Sequence, residues 1–280
     1  MEPSRGGNDQ AALWNSSAGC AWVDLEQSID QTYKRIEDLL VEEIAVGAPR
    51  RVLDVGCGTG ATTVAAVRRL GATSEAVGVD VSGPMIAAAR ARAGREAVPA
   101  RFIVGDAQTY AFEPSSFDAI MSRFGVMFFD DSVRAFENLR RAARTGARLR
   151  LVTWRSPEEN PFMTAAERAA APLMPNLPPR VPDAPGQFGF ADARRVHDIL
   201  GESGWAEIDI RPIDVACTFP AQELPNYATR FGIVARALPE VDEQTRTRVV
   251  EAVLAAFAPY VHGSEVRYDA ACWMISARAP

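Results

Sequence analysis

The residues best equipped for chemistry form one run, Val52-Leu53-Asp54-Val55-Gly56-Cys57-Gly58-Thr59-Gly60. An apolar stretch carrying a single acid meets three alternating glycines, and Ala61 to Leu70 then takes on helical spacing. A buried strand, a glycine turn and a helix N-terminus in this order let backbone N–H groups approach an anionic or zwitterionic ligand. The spacing argues against two commoner sites of this kind. A dinucleotide turn wants G-x-G-x-x-G, but Ala61 stands at its third glycine; a P-loop wants a lysine, and none follows.

Further acids fall where the next strands should end. Asp80 closes Glu75 to Asp80, 24 residues after Gly56; Gly105-Asp106-Ala107 follows Arg101 to Val104; Ser122 and Arg123 end Phe117 to Ser122. In open α/β sheets ligands bind at the carboxyl ends of the strands, near the point where strand order reverses. A carboxylate at the second position can accept two ribose hydroxyls. One at the third can accept an exocyclic amine, with the Ala107 N–H serving a ring nitrogen.

The elements that must position these groups alternate regularly. Leu25, Ile29, Ile36, Leu40 and Ile44 make Asp24 to Val46 an amphipathic helix. Ser82-Gly83-Pro84 starts one helix and Asp130-Asp131-Ser132 caps another, before a strand from Ala147 to Trp154. This rhythm predicts an α/β fold: a doubly wound, Rossmann-like, mostly parallel seven-stranded sheet with helical cap insertions. Six prolines between Pro172 and Pro185 rule out regular structure there. Strands are expected again over Glu207 to Ile213 and Tyr268 to Ala277. The predicted organisation is an N-terminal helical lid over 1–47, a cofactor-binding core over 48–154, a cap insertion over 155–190, and over 191–280 the rest of the sheet with a helical insertion at 220–263.

Four segments, V-L-D-V-G-C-G-T-G, V-G-V-D-V-S-G-P-M-I, G-D-A-Q and S-F-D-A-I-M-S-R-F-G-V-M-F-F, carry a family likeness, with Asn138-Leu139-Arg140-Arg141 as a further match. The chain resembles the class I S-adenosylmethionine (SAM) dependent methyltransferases, and among them the UbiE/Coq5-like small-molecule group. The resemblance implies SAM as cofactor and S-adenosylhomocysteine (SAH) as product. It puts Asp54 and the glycines Gly56, Gly58 and Gly60 at the methionine portion, Asp80 at the ribose and Asp106 at the adenine, with Cys57, Val81, Met85, Gly105, Ala107 and Ser122 as further cofactor-binding candidates. Two departures stand out. The turn before the fifth strand is Arg144-Thr145-Gly146-Ala147 rather than R-P-G-G, and Arg123-Phe124-Gly125 stands where some relatives carry a histidine pair.

On the acceptor side the expected lining is Trp22, Arg123, Phe124, Trp154, Phe162 and Phe188, and the candidate catalytic groups are Arg123, Glu159 and His197. Net charge −6 leaves no basic stripe for nucleic acid. Four scattered cysteines argue against a metal site, and with no apolar run of spanning length the expectation is a cytoplasmic protein off the membrane. Of 30 basic residues only Lys34 is a lysine, and it lies on the polar side of a helix. Schiff-base chemistry is therefore disfavoured, since arginine does not deprotonate. The reading is methyl transfer to a small, largely apolar or aromatic metabolite. Its rivals are a SAM-binding enzyme of the same fold with another reaction, a nicotinamide oxidoreductase disfavoured by the glycine spacing, and an inactive binding module.

Overall fold

The computed structural model describes residues 6–71 and 73–280, so residues 1–5 of the expected lid lie outside the described residues. Three helices come first: α1 (Gly6–Trp14), α2 (Ser17–Asp24) and α3 (Glu26–Ala45). The predicted single helix from Asp24 is thus α3, and the segment before it folds into two short helices.

The core follows as β1 (Arg51–Val55), α4 (Ala61–Leu70), β2 (Glu75–Asp80), α5 (Gly83–Arg95), β3 (Ala100–Val104), β4 (Phe117–Arg123), α6 (Ser132–Ala142) and β5 (Ala143–Trp154). Ser82 caps α5 by accepting from the Met85 N–H at 3.3 Å, with Pro84 in the first turn, and Asp131 caps α6 through the Arg134 N–H at 3.0 Å. The last part contains α7 (Ala165–Ala170), α8 (Ala193–Glu202), β6 (Ala206–Pro220), α9 (Leu224–Arg230), α10 (Gly232–Ala237), α11 (Glu243–Phe257), β7 (Val261–His262) and β8 (Glu265–Arg278).

The sheet runs β3-β2-β1-β4-β5-β8-β6, with β7 beside β8. Strands β1 to β5 pair in parallel, and β8 joins antiparallel to β5 and β6. From β1 the chain steps outward through β2 to β3, and from β4 it steps the opposite way to β5. Right-handed crossovers in opposite directions put α4 and α5 on one face and α6 on the other. The reversal lies between β1 and β4, so their carboxyl ends open the crevice. Packing agrees with this layering: Leu53, Val55, Ile120, Phe136 and Leu149 fill the main core, while Cys57, Val64, Ile86, Ala89 and Phe102 form a smaller cluster under α4 and α5.

The outer pair differs from the sequence reading. Strand β6 extends to Pro220 and pairs along the whole of β8, from Ala206 opposite Arg278 to Pro220 opposite Glu265. The amino-terminal half of β6 is largely exposed and its carboxyl-terminal half is largely buried. The pair therefore grows out of the sheet, and α9 packs on its buried half through Tyr227 against Phe219 at 5.4 Å.

Candidate functional site

The glycine turn is built by backbone conformations that side chains resist. Gly56, Gly58 and Gly60 all have positive φ, at 66°, 54° and 84°. The turn is tied to the next strand, since the N–H groups of Gly56 and Cys57 both donate to the Val79 carbonyl, at 2.8 and 3.1 Å. Cys57 contributes backbone only; its thiol points into the small cluster, where a Cβ on Gly78 would stand 2.7 Å from Sγ. Met85 lies beneath the turn, its Sδ 3.6 Å from where a Cβ on Gly58 would be.

Asp80 is the hub of the arrangement. Its Oδ2 accepts from the Gly58 N–H at 2.9 Å and its Oδ1 from the Ser82 N–H at 2.9 Å. One carboxylate thus fastens the glycine turn to the start of α5 and keeps a second lone pair on each oxygen for a ligand. Burial raises its pKa, and the N–H groups of Ser82, Gly58 and Val81 oppose that rise.

Asp54 is 1% exposed and accepts the Thr63 hydroxyl at 2.6 Å. Burial pushes its pKa up to about 6, against the pull of Thr63 and of nearby Arg123. Asp106 accepts from the Gln108 N–H at 2.9 Å, and the Gln108 side chain returns to it at 3.2 and 3.3 Å while its Oε1 takes the Asp131 N–H at 3.0 Å. Gly105 is held by donation to the Asp80 carbonyl at 2.9 Å, and the Ala107 carbonyl takes Asn138 at 2.9 Å. Ser122 is fully buried; it donates to the Val55 carbonyl at 2.7 Å and accepts from Gly125 N–H at 3.1 Å. Its hydroxyl ties β4 to β1, so it shapes the crevice rather than facing a ligand.

Beyond β4 the chain makes a strained step. Phe124 has φ 67°, a left-handed conformation costly for an aromatic residue. Its ring stacks on Trp154 with centroids 4.5 Å apart and planes 7° from parallel, and Tyr33 of α3 meets both edge-on at 5.5 and 6.0 Å. The Arg123 guanidinium lies 5.9 Å over the Tyr33 ring, and its buried Nη1 has no hydrogen-bond partner among the described residues. Arg123 is close enough to draw down the pKa values of Asp30, Glu37 and Asp54, although burial holds all three above the ordinary range. Asp30 and Glu37 were missed in the sequence. Their signal is the spacing Asp30, Tyr33, Glu37, a second helical stripe beside the apolar one.

The structure relocates the other candidates. Glu159 is consumed by Arg155, which binds it at 3.0 Å and also reaches Asp214 at 2.8 Å; this pairing depresses the Glu159 pKa and makes it a poor proton acceptor. His197 is on the outer side of α8, its side chain 61% exposed beside Asp198. Neither is brought to the glycine turn. Phe162 is not a free pocket wall either. It is 1% exposed, stacked on Tyr268 at 3.9 Å and surrounded by Phe219, Tyr227, Phe257 and Tyr260. Phe188 packs under Arg180, at 4.7 Å, and Trp22 bridges Trp14 and Phe231 at 6.2 and 5.9 Å. Of the expected acceptor residues, only Arg123, Phe124 and Trp154 meet at the crevice. Among the described residues no cluster of three or more His, Cys, Asp or Glu is placed to hold a metal, and no helix is long and apolar enough to cross a membrane.

Comparison with known proteins places this geometry. A family profile described as a methyltransferase domain matches residues 52–146, the segment carrying the glycine turn, Asp80, Asp106 and Ser122. Residues 52–146 thus carry a methyltransferase domain. The demethylmenaquinone methyltransferase of Thermus thermophilus is 33% identical over 129 residues, covering 46% of this chain and 56% of that protein. The chain spans about half the length of the curated relatives it matches. Among solved structures, the YcgJ protein from Bacillus subtilis superposes with TM-score 0.57 at 17% identity, over 88% of this chain and 98% of that one. The [4+2]-cyclase SpnF superposes with TM-score 0.54 at 18% identity, over 87% and 80% respectively. At these identities the two structures speak to the fold alone.

Proposed function

We propose that the protein transfers a methyl group from SAM to a small, largely apolar or aromatic acceptor. The observation that carries this reading is Asp80, fastened to Gly58 and Ser82 with lone pairs to spare, beside a glycine turn in left-handed conformation. A ribose diol fits the remaining lone pairs, and the turn leaves no side chain to obstruct a methionyl tail. Buried Asp54 and Glu37 make the inner end of the crevice negative, which suits an ammonium and a sulfonium, while half-buried Asp30 is paired with Arg92; the Nη1 of Arg123, unpartnered among the described residues, suits an anionic oxygen beside them. Asp106 and Ala107 receive the adenine.

SAM, when bound, supplies an electrophilic methyl group with its leaving group already attached. The chain's own residues have the tasks of aligning the nucleophile in line and excluding water. Phe124, Trp154 and Tyr33 form a flat aromatic wall for an acceptor ring, and the relative named for demethylmenaquinone supports an acceptor of this apolar kind. With Glu159 and His197 outside the crevice, the acceptor's nucleophilic atom has to be reactive without either of them as base. The N-terminal helices serve as the lid, and the segments after Trp154 as the cap.

Turnover of SAM to SAH in the presence of phenolic, amine or quinol acceptors tests the reading. A protein that binds SAM and transforms an acceptor without forming SAH would instead have the second activity, SAM-dependent chemistry without methyl transfer.

A further inference from the structure

The junction between α1 and α2 is pinned at both sides of the crevice. On the β2 side, the Asn15 side chain donates to the Val81 carbonyl at 2.9 Å and accepts from the Gly83 N–H at 2.9 Å, while its second N–H reaches the Ala11 carbonyl at 2.8 Å. On the β4 side, Trp14 packs edge-on against Phe128 at 5.2 Å. Strand order places β1 and its glycine turn between these two anchors. The segment therefore crosses the mouth of the proposed cofactor site. Gly19 brings α2 onto the same turn so closely that a Cβ there would stand 3.0 Å from Ser82 Oγ.

The turn held by Asn15 is the one that orients Asp80, because Ser82 lies between Val81 and Gly83 and its N–H donates to the carboxylate. A chain of hydrogen bonds thus runs from Asn15 through residues 81–83 to Asp80. We infer that Asn15 is a positioning residue for SAM: it sets the ribose carboxylate from the lid and must let go of the turn for SAH to leave. The inference rests on the reading of Asp80 as a ribose acceptor. The position needs a side chain that both donates and accepts on a short stem. Alanine loses every bond, and aspartate keeps the Gly83 bond but turns a negative oxygen toward the Val81 and Ala11 carbonyls.

The rate of SAH release, followed by tryptophan fluorescence, tests the inference together with SAH affinity from calorimetry. Asn15→Ala and Asn15→Asp should release SAH about tenfold faster or more, as expected for losing one to two net hydrogen bonds. The ligand-free melting temperature should stay within a few degrees, because Asn15 is exposed and outside the core. Release rates and affinities equal to wild type in both variants would overturn the inference. A second variant locks the contact. A Cβ at Gly83 would stand 3.5 Å from Asn15 Oδ1, so Asn15→Cys with Gly83→Cys, in a Cys20→Ser background, brings two thiols within reach. The oxidised form should hold labelled SAH without exchange and release it on reduction. Equal exchange in both redox states would also overturn the inference. Wild-type protein that fails to bind SAH overturns the proposed function itself, a result separable from an Asn15 effect.

Discussion

Gly56 and Gly125 meet backbone to backbone. A Cβ built on Gly56 would lie 2.5 Å from the Gly125 Cα, and one built on Gly125 would lie 2.7 Å from the Gly56 Cα and 2.5 Å from the Val55 carbonyl oxygen. The contact closes the crevice floor between β1 and β4, where strand order reverses. Gly56→Ala combines this overlap with a positive φ and should cost about 3 kcal/mol or more. Gly125→Ala should cost about 2–3 kcal/mol by overlap alone. Urea denaturation measures both. The double variant should not be rescued, because each methyl fills the same missing space.

Asp80→Ala should weaken SAM binding at least about 30-fold, since charged hydrogen bonds are worth roughly 1.5–3 kcal/mol each. Asp80→Asn should fall between, because its single carbonyl oxygen cannot serve Gly58, Ser82 and a ribose together. Calorimetry with SAM on folded variants checks the order; equal affinity across the three proteins would remove Asp80 from the site.

Asp54 makes the protein's stability depend on pH in a direction opposite to a surface carboxylate. Its folded pKa of about 6 lies above the ordinary 3.8, so the folded state binds the proton more tightly. The stabilisation is complete below about pH 4 and is lost as pH rises through 6, an effect of about 3 kcal/mol. Asp54→Asn should abolish this part of the slope and be more stable than wild type at pH 8, while binding SAM more weakly. Unfolding curves at pH 5 and 8 test the sign.

Trp154→Leu removes the face on which Phe124 stacks. The acceptor KM should rise several-fold with SAM affinity unchanged, because a stacked ring pair is worth about 0.5–1.5 kcal/mol beyond its buried area. A parallel loss of SAM affinity would place the wall at the cofactor instead.

Across paired acceptors, neutral aromatic or phenolic compounds should turn over and their phosphorylated counterparts should not. Arg123 is the cation with an unpartnered nitrogen at the crevice among the described residues, Arg92 being engaged by Asp30 and Glu26, and one guanidinium cannot neutralise a polyanion. Preference for the phosphorylated member of each pair would reverse this assignment.

Much of this was legible in the sequence because local signals and global fold agree from β1 to β5. Glycine spacing, acids at the ends of the first three strands, and caps at Ser82 and Asp131 all act within a few residues. What escaped depends on distant neighbours. Strand β6 reads as short because its two halves alternate against different surroundings, water for Glu207 to Asp214 and the aromatic cap for Cys217 and Phe219. Glu159 looks like a base until Asp214 on β6 shows that Arg155 gathers both acids. Phe162 looks like a pocket wall until five rings from the last hundred residues close around it.

Among the described residues strand β6 bonds only to β8, which leaves its other flank as the sheet's outer edge. Such a row of free backbone groups invites another chain to add a strand and seed aggregation. Here Pro212 and Pro220 withhold an N–H, and Glu207, Asp209 and Arg211 bring charge to the exposed half, with Arg211 engaged by Glu43 of α3. The length of β6 is thus matched by prolines and charges of the kind that discourage strand addition along a free edge.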